Sequence, residues 1–251
     1  MDNLTAAYFL TVVVPVFNED ASLPYLFQSL KDYKAKASVR LCVLFVNDGS
    51  SDNSLSLIKE ACKSDRDFFY IALQRRSGLT GALKAGFTHA ASPWCAYIDA
   101  DLQTYPEDFE LLLPHVNEAA LICGLRTKRH DSGWKKVQSR IANRIRNAVT
   151  HDGFTDTNCP LKLIRSDLAR RLPLFSGMHR FLPALTQLFG EKAMGIPVRH
   201  KERAHGSSKF SFKNRALPGL CDLLAFIWMR RRFVDPVVAQ DNLQTQEPTL
   251  R

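Results

Sequence analysis

The first hundred residues alternate between continuous apolar runs and amphipathic segments. Leu10–Val16, which reads LTVVVPV, is rich in β-branched residues, as in a strand that is buried on both faces. Apolar residues at helical spacing in Ala21–Lys36 predict that a helix follows it. The same alternation predicts strands at Arg40–Val46, Phe68–Leu73 and Trp94–Ile98, and helices at Asn53–Ser64 and Gly81–Ala91. Strands separated by helices of this length indicate an α/β fold with a mostly parallel sheet flanked by helices.

The pattern changes after Asp101. It predicts a helix at Glu107–Val116, a short strand at Ala120–Gly124, a basic helix at Trp134–Thr150 and an extended stretch at Ala193–His200. We expect a single domain over residues 1–233, built from halves at 1–125 and 126–233, and a polar, disordered tail at 234–251.

The apolar segment Leu217–Met229 is followed directly by three arginines. It is shorter than the about 20 apolar residues that span a bilayer, and Asp222 interrupts it, so we expect no membrane span here. Two alternatives remain open. The segment is either an interfacial helix, with Phe226 and Trp228 facing lipid and the arginines meeting headgroups, or a core helix that closes the domain.

The composition excludes several classes of protein. The chain has 251 residues, of which 45% are hydrophobic and 24% charged, so it is neither intrinsically disordered nor collagen-like. Its six cysteines are scattered without a CxxC pair, which favours reduced thiols over a zinc site or a disulfide framework. The N-terminus has no basic region ahead of its apolar stretch, so we predict no signal peptide and a cytoplasmic location.

Charge is unevenly distributed within the total of +9. Residues 1–125 carry 10 Lys and Arg against 15 Asp and Glu, whereas residues 126–251 carry 24 against 10. A basic half of this kind indicates an anionic partner, which could be nucleic acid, a phosphorylated substrate or an anionic lipid surface. The alternative is a basic face that is only solvated.

The clearest chemical signal is Asp99-Ala100-Asp101, which directly follows an apolar strand and is itself followed by Gln103. Carboxylates two residues apart share one side of an extended chain. Together with an amide oxygen they make a site of hard oxygen ligands suited to Mg²⁺ or Mn²⁺, with positions open for substrate phosphates. The alternative is a pair of acids that only solvates a loop.

Two further polar loops end predicted strands. In NDGSSD, Asp48 is suited to accept hydrogen bonds from a nucleobase or ribose, and Gly49 permits a close turn. Ser51 and Asp52 are equally suited to cap the following helix. The other loop lies in Pro15–Glu19, which reads PVFNE. Because ligands bind beyond the carboxyl ends of parallel strands, we expect all three loops to converge on one edge of the sheet.

The basic half offers two candidate anion clamps. Their residues are Arg126, Ser139 and Arg140 in the first, and Arg203 and Lys209 in the loop ERAHGSSKF in the second. Arginine binds phosphate oxygens through a bidentate fork, and lysine supplies a point charge. His205 in the same loop is either a general base or a histidine that contacts only solvent or substrate.

Six segments of the chain resemble the dolichol- and polyprenyl-phosphate sugar transferase branch of the family-2 glycosyltransferases. In order they read PVFNE, VNDGSSDNS, GLTGALKAGF, YIDADLQTYPED, GLR…GWKK…SR and RAHGSSKFS. The resemblance extends from about Leu10 to about Phe233, and the combination of DADLQ…PED with GSSKF is its most specific part. It implies the nucleotide-diphospho-sugar transferase (GT-A) fold.

The resemblance also implies roles for individual residues. The residues that would line the nucleotide are Pro15, Phe17, Glu19, Asp48 and Asp99. Those that would hold Mg²⁺ or Mn²⁺ on the donor diphosphate are Asp99, Asp101 and Gln103. The residues that would bind the lipid phosphate are Arg126, Ser139 and Arg140. Those that would close over the diphosphate are Arg203 and Lys209. The catalytic residues would be Asp101, Arg126, Arg203 and Lys209.

The implied activity is an inverting, metal-dependent transfer of a sugar from a UDP- or GDP-linked donor to a polyprenyl phosphate. The chain would act as a peripheral protein on the cytoplasmic face of a membrane. A membrane-bound partner subunit is a further alternative. One alternative is a family-2 enzyme that acts on a sugar or protein hydroxyl, which would need a carboxylate base. A basic nucleic-acid-binding module is a distant alternative, since it explains the charge distribution and none of the motifs. We therefore expect no nucleic-acid partner.

Overall fold

The computed structural model describes residues 4–126, 143–201, 213–236 and Ala239. Within them, seven strands form one sheet in the order β3-β2-β1-β4-β6-β5-β7. The strands are β1 (Leu10–Val16), β2 (Leu41–Asn47), β3 (Phe68–Ala72), β4 (Trp94–Tyr97), β5 (Leu121–Arg126), β6 (Lys162–Arg165) and β7 (Ala193–Val198). Six strands run in the same direction, and β6 runs antiparallel between β4 and β5. The predicted mostly parallel sheet is confirmed.

Helices cover both faces of the sheet. They are α1 (Leu23–Lys34), α2 (Ser54–Ser64), α3 (Gly78–His89), α4 (Phe109–Leu112), α5 (residues 143–150), α6 (Ser166–Arg171), α7 (Leu182–Leu188) and α8 (Lys213–Arg232). Short 3₁₀ turns lie at Leu4–Ala7, Pro106–Asp108, Leu113–His115 and Met178–Phe181. One core lies between the sheet and α1, α2 and α4, and the other lies between the sheet and α3, α6, α7 and α8. The result is a three-layer α/β/α architecture.

Strand β1 occupies the middle of the parallel part of the sheet. Val12 and Val14 point into one core and Val13 into the other, which explains the unbroken apolar run of this strand. Its pairing with β2 extends from Leu10 opposite Leu41 to Val16 opposite Asn47, and it also pairs in parallel with β4. The parallel strands therefore end on one side of the sheet, which we call the carboxyl edge.

The second half differs from the sequence-based prediction in two places. The predicted helix Glu107–Val116 is broken into a short α4 between two 3₁₀ turns, because Pro114 has no N–H to donate and cannot continue a helix. Strand β6 is absent from the prediction, since only Leu163 and Ile164 of its four residues are apolar and they lie between two charged residues. Of the predicted basic helix Trp134–Thr150, residues 143–150 are helical and the remainder lies outside the described residues.

Helix α8 is part of the core, and this corrects one expectation. Phe226 is only 1% exposed and stacks on Phe181, with 5.4 Å between ring centroids. Phe226 therefore faces the core and not lipid. Trp228, by contrast, is 65% exposed. Within the described parts of the chain, no helix combines the length and the apolar character needed to cross a membrane.

The close approach of α3 to β1 depends on a glycine. Gly86 in α3 lies directly over Val13 of β1, and a Cβ atom at this position would overlap Cγ1 of Val13. Leu83 and Phe87, which flank Gly86 on α3, are fully buried in the same core. A larger residue at Gly86 would therefore push the helix away from the sheet.

We expect Gly86→Ala to lower the free energy of unfolding by about 1–3 kcal/mol, the usual cost of overpacking a core. In a Val13→Ala background the same substitution should cost less, because the overlapping methyl group is gone. Urea denaturation of the wild type, the two single variants and the double variant measures this difference. An equal cost of Gly86→Ala in both backgrounds would contradict the inferred contact.

Candidate active site

Hydrogen bonds join the loops that follow β1 and β2. The backbone N–H of Asn18 donates to Ser50 Oγ at 3.1 Å, and the N–H of Ser51 donates back to Asn18 Oδ1 at 2.9 Å. The N–H of Glu19 donates to Ser54 Oγ at 2.9 Å. The serines of NDGSSDNS therefore hold the PVFNE loop in place, and the two motifs form one unit at the carboxyl edge.

Asp48 has a structural partner that its motif does not reveal. Its two carboxylate oxygens accept hydrogen bonds from the backbone N–H groups of Ser77 at 2.6 Å and Gly78 at 2.8 Å. These groups begin α3, so Asp48 caps this helix from the end of another strand. Gly49 supports this arrangement, because a Cβ atom there would lie 2.9 Å from the backbone nitrogen of Arg76.

The other residues predicted to bind the nucleotide surround the same loops. Pro15 is half-buried in β1, and Glu19 Oε2 accepts a hydrogen bond from Ser22 Oγ at 3.0 Å. The guanidinium carbon of Arg76 lies 4.1 Å from the ring centroid of Phe17. Sequence reasoning missed Arg76, which with Phe17 makes a cationic and aromatic surface of the kind on which planar bases stack.

Asp99, Asp101 and Gln103, the three residues predicted to hold a metal, lie on one loop beyond β4. Asp99 Oδ1 accepts a hydrogen bond from the hydroxyl of Tyr97 at 2.6 Å, and Asp101 Oδ1 accepts one from the N–H of Gln103 at 3.2 Å. Leu102 has a left-handed backbone with φ of 60°, which bends the loop sharply between these residues. All three predicted residues are half-buried and lie on this loop at the carboxyl edge.

The rest of the DADLQTYPED motif ties this loop to the end of β7. Asp108 accepts hydrogen bonds from the backbone N–H and Nε of Arg199, both at 2.7 Å. The N–H of Lys201 donates to the carbonyl of Gln103 at 2.8 Å. The cationic groups of Arg199 and Lys201 lie 4.2 and 3.9 Å from the ring centroid of Tyr105. The PED part of the motif therefore has a positioning role.

Arg126 is held by an acid that sequence reasoning missed. Its Nε and Nη2 donate to Asp156 Oδ2 and Oδ1 at 2.6 and 2.8 Å, and both side chains are largely buried. This bidentate geometry fixes the plane of the guanidinium at the end of β5. Asp156 belongs to no recognised motif, so only its position in the fold reveals it. The predicted residues Ser139, Arg140, Arg203, His205 and Lys209 lie outside the described residues.

His200 is a second residue that the motifs did not indicate. Burial is the main cause that lowers the pKa of His200, and the positive charge of Arg126 lowers it further. The charges of Asp101 and Asp156 act in the opposite direction and raise it. Its Nδ1 is buried and has no hydrogen-bond partner among the described residues. His200 lies in the segment that follows β7, after Val198, which pairs with Arg126, and before Lys201, which binds the carbonyl of Gln103. Its lowered pKa favours the neutral imidazole.

A buried lysine enters the site from β6. The antiparallel register places Lys162 opposite Tyr97, and its amino group lies 5.4 Å from the centroid of the Tyr97 ring. Lys162 Nζ donates to the carbonyl oxygen of Cys159. Burial and then the charge of Asp99 raise the pKa of Tyr97 well above its usual value, so its hydroxyl stays protonated and donates to Asp99. Lys162 and Asp99 thus both contact Tyr97.

The oxygen ligands at the carboxyl edge are of the type that a hard divalent cation prefers. Asp99 and Asp101 supply carboxylates, and Gln103 adds an amide oxygen on the same loop. Within the residues that the structure describes, no group of three His, Cys, Asp or Glu side chains could hold a metal ion by itself. Two carboxylates and an amide leave positions of such a cation open for oxygen atoms of a bound substrate.

The model of glycosyl transferase family 2 matches residues 11–172. This match extends from β1 through α6 and includes Asp48, Asp99, Asp101 and Arg126. The chain belongs to glycosyltransferase family 2. The prediction that it is a glycosyltransferase is thereby confirmed, and family 2 explains the motifs for which a nucleic-acid-binding module has no account.

Solved structures with the same fold include two sugar-phosphoglycerate synthases. The glucosyl-3-phosphoglycerate synthase of Mycobacterium tuberculosis, in complex with phosphoglyceric acid, has a TM-score of 0.67 and 14% identity, covering 93% of this chain and 84% of that chain. The mannosyl-3-phosphoglycerate synthase of Rubrobacter xylanophilus also has a TM-score of 0.67 and 14% identity, with 98% and 79% covered. These similarities confirm the predicted GT-A fold.

A third similar structure is a mannosyltransferase of Pyrobaculum calidifontis in complex with GDP-Man and Mn²⁺. It has a TM-score of 0.62 and 20% identity, covering 91% of this chain and 66% of that chain. The Mycobacterium tuberculosis synthase has also been solved with Mn²⁺ and UDP-glucose. The prediction of Mg²⁺ or Mn²⁺ for this family-2 chain agrees with the metal in those structures.

The cap that Asp48 provides leads to a stability prediction. We expect Asp48→Ala to lower the free energy of unfolding by about 1–2 kcal/mol, the usual cost of losing a helix cap. Ser77→Ala is the matched control, because Ser77 occupies the N-cap position of α3 but makes no side-chain cap there. Thermal denaturation of both variants measures the two effects. A loss for Ser77→Ala as large as that for Asp48→Ala would contradict the assignment of the cap.

Proposed function

We propose that this family-2 glycosyltransferase transfers a sugar from a nucleoside-diphosphate sugar to a polyprenyl phosphate, with inversion at the anomeric carbon. The observation that carries the proposal is that residues 198–201 connect two places of opposite charge. Val198 pairs with Arg126, which is fixed by Asp156, and the N–H of Lys201 donates to the carbonyl of Gln103, on the loop that carries Asp99 and Asp101. The acidic side suits a donor diphosphate with its cation, and the cationic side suits an anionic acceptor.

On the donor side, Asp99 and Asp101 would hold Mg²⁺ or Mn²⁺ with the diphosphate, and Gln103 would add an amide oxygen as a further ligand. A divalent cation bound there neutralises the negative charge that develops on the leaving diphosphate. Phe17 and Arg76 would contact the base of a UDP- or GDP-linked donor. Lys162, through its position next to Tyr97, adds positive charge behind Asp99.

On the acceptor side, a phosphate monoester needs positioning more than a base. Its second pKa is about 6, so it is largely ionised at neutral pH. A phosphate oxygen attacks the anomeric carbon from the face opposite the diphosphate, the bond to the diphosphate oxygen breaks, and the configuration inverts. Arg126 would orient the acceptor phosphate. By resemblance, Ser139 and Arg140 would assist it, and Arg203 and Lys209 would close on the donor.

A second candidate is transfer to the hydroxyl of a small phosphorylated acid. It is favoured by the structural similarity to a synthase that binds phosphoglyceric acid. A hydroxyl acceptor needs a base, and His200 has the lowered pKa that keeps an imidazole neutral. The two candidates share the donor and differ in the acceptor atom that attacks.

The donor half of the proposal predicts the behaviour of Asp101→Ala. This variant should fold normally, lose transfer, and lose the Mn²⁺-dependent part of the rise in melting temperature that UDP or GDP produces. Asp32→Ala, which removes an exposed acid on α1, is the control and should retain both. Thermal shift with each nucleotide, in Mn²⁺ and in EDTA, provides the measurement. An unchanged Mn²⁺-dependent shift in Asp101→Ala would argue against the assigned metal site.

The acceptor half is tested by offering the wild-type protein three acceptors with the donor that the thermal-shift assay identifies. We expect product with undecaprenyl phosphate and none with undecaprenol, which has the same lipid chain but no phosphate. Transfer to 3-phosphoglycerate alone would replace the polyprenyl-phosphate proposal by the second candidate. Mass spectrometry of the products distinguishes a sugar phosphodiester from a glycoside.

A further inference from the structure

Helix α8 has an exposed apolar side that the core does not use. Leu220, Leu224 and Trp228 follow one another at intervals of four residues and are 52%, 58% and 65% exposed. At this spacing they lie on one side of the helix, which we call the α8 outer face. The buried residues of α8, such as Phe226, face the core on the other side.

Positive charge borders the α8 outer face. Arg231 and Arg232 are exposed at the end of the helix, and the guanidinium of Arg232 lies 5.9 Å from the centroid of the Trp228 ring. A cavity of about 420 Å³ opens beside Trp228 and Arg232. Asp222, the one acid in residues 219–232, pairs with Arg180 at 3.4 Å and is largely buried. Asp235, which lines the same cavity, is paired with Arg171 at 2.5 Å. Neither described acid is therefore paired with Arg231 or Arg232.

A short chain of contacts connects the first part of this helix to the carboxyl edge. Asp222 contacts Arg180, and the neighbouring His179 shares a hydrogen bond of 2.7 Å with Thr80. Thr80 lies in the first turn of α3, whose first N–H groups bind Asp48. The inner side of α8 at Asp222 is therefore connected, through Arg180, His179 and Thr80, to the helix that Asp48 caps.

We propose that the α8 outer face docks on an anionic membrane surface, with Leu220, Leu224 and Trp228 in the interface and Arg231 and Arg232 at the headgroups. Apolar side chains bordered by cations on one helix face are the pattern of interfacial helices. A second copy of the chain fits less well, because a twofold contact would bring arginines of both copies together without acids. Delivery of a lipid acceptor from this surface to the site rests on the proposed function, whereas the docking does not.

The test uses the full chain and vesicles that contain neither donor nor polyprenyl phosphate, so it is independent of transferase activity. Flotation is measured with phosphatidylcholine alone and with phosphatidylcholine containing phosphatidylglycerol. The variants are Leu224→Gln/Trp228→Ser, which removes apolar contacts, and Arg231→Gln/Arg232→Gln, which removes charge. Leu111→Gln is the matched control, since Leu111 is an exposed leucine of α4. Circular dichroism verifies that each variant folds.

We expect the wild type and Leu111→Gln to bind the anionic vesicles more tightly than the neutral ones, and less tightly at high salt. Leu224→Gln/Trp228→Ser should bind about tenfold or more weakly, because it loses the two exposed apolar side chains that docking buries. Arg231→Gln/Arg232→Gln should lose the preference for anionic lipid. Trp228 emission should shift to the blue on binding, and Trp228→Phe should remove that shift.

Three results would overturn the proposal. The first is no binding of the folded wild type to anionic vesicles at low salt. The second is equal binding by the wild type and Leu224→Gln/Trp228→Ser. The third is concentration-dependent self-association that the same double variant abolishes, without vesicle binding, which would identify the face as a contact between two copies. Failure of transfer to undecaprenyl phosphate alongside intact docking would count against the proposed function alone.

Discussion

Backbone N–H groups beyond the end of a strand have no neighbouring strand to bind, so loops that leave a sheet need other acceptors. In this protein, carboxylates supply them across the carboxyl edge. Asp48 binds the first N–H groups of α3, Asp52 accepts from the N–H of Asp20 at 3.2 Å, and Asp108 accepts from the N–H of Arg199. Each acid lies in one loop and holds another. The loops around the candidate site are thereby connected, and its geometry depends on these links.

This use of carboxylates also explains how far the sequence could be interpreted. Apolar runs predicted the four strands of the first half, and parallel order predicted that their loops would meet. Residue type cannot distinguish an acid that binds a ligand from one that holds a loop, because both tasks require the same oxygens. Asp48 has the motif of a nucleotide contact and the hydrogen bonds of a helix cap. Asp156 has no motif at all and is revealed only by its pair with Arg126.

The unequal charge of the two halves has a local counterpart at the site. The acids of the first half end β4, whereas cations of the second half approach from β5 and β6. Lys162 is at the carboxyl edge because β6 runs antiparallel, so the start of this strand lies where the other strands end. A sequence prediction without β6 could not locate this lysine. Its burial beside Tyr97 makes its charge a fixed part of the site rather than a solvated one.

Helix α8 shows why periodicity alone could not assign its two sides. Its apolar residues surround the helix, so the pattern favoured neither Phe226 nor Trp228 as the outer residue. Tertiary packing decides between them, because Phe181 offers Phe226 a stacking partner inside the core. Leu220, Leu224 and Trp228 then remain in water, where a contiguous apolar surface is unfavourable unless something covers it. Because this surface ends in exposed arginines, an anionic surface is the partner that fits its chemistry.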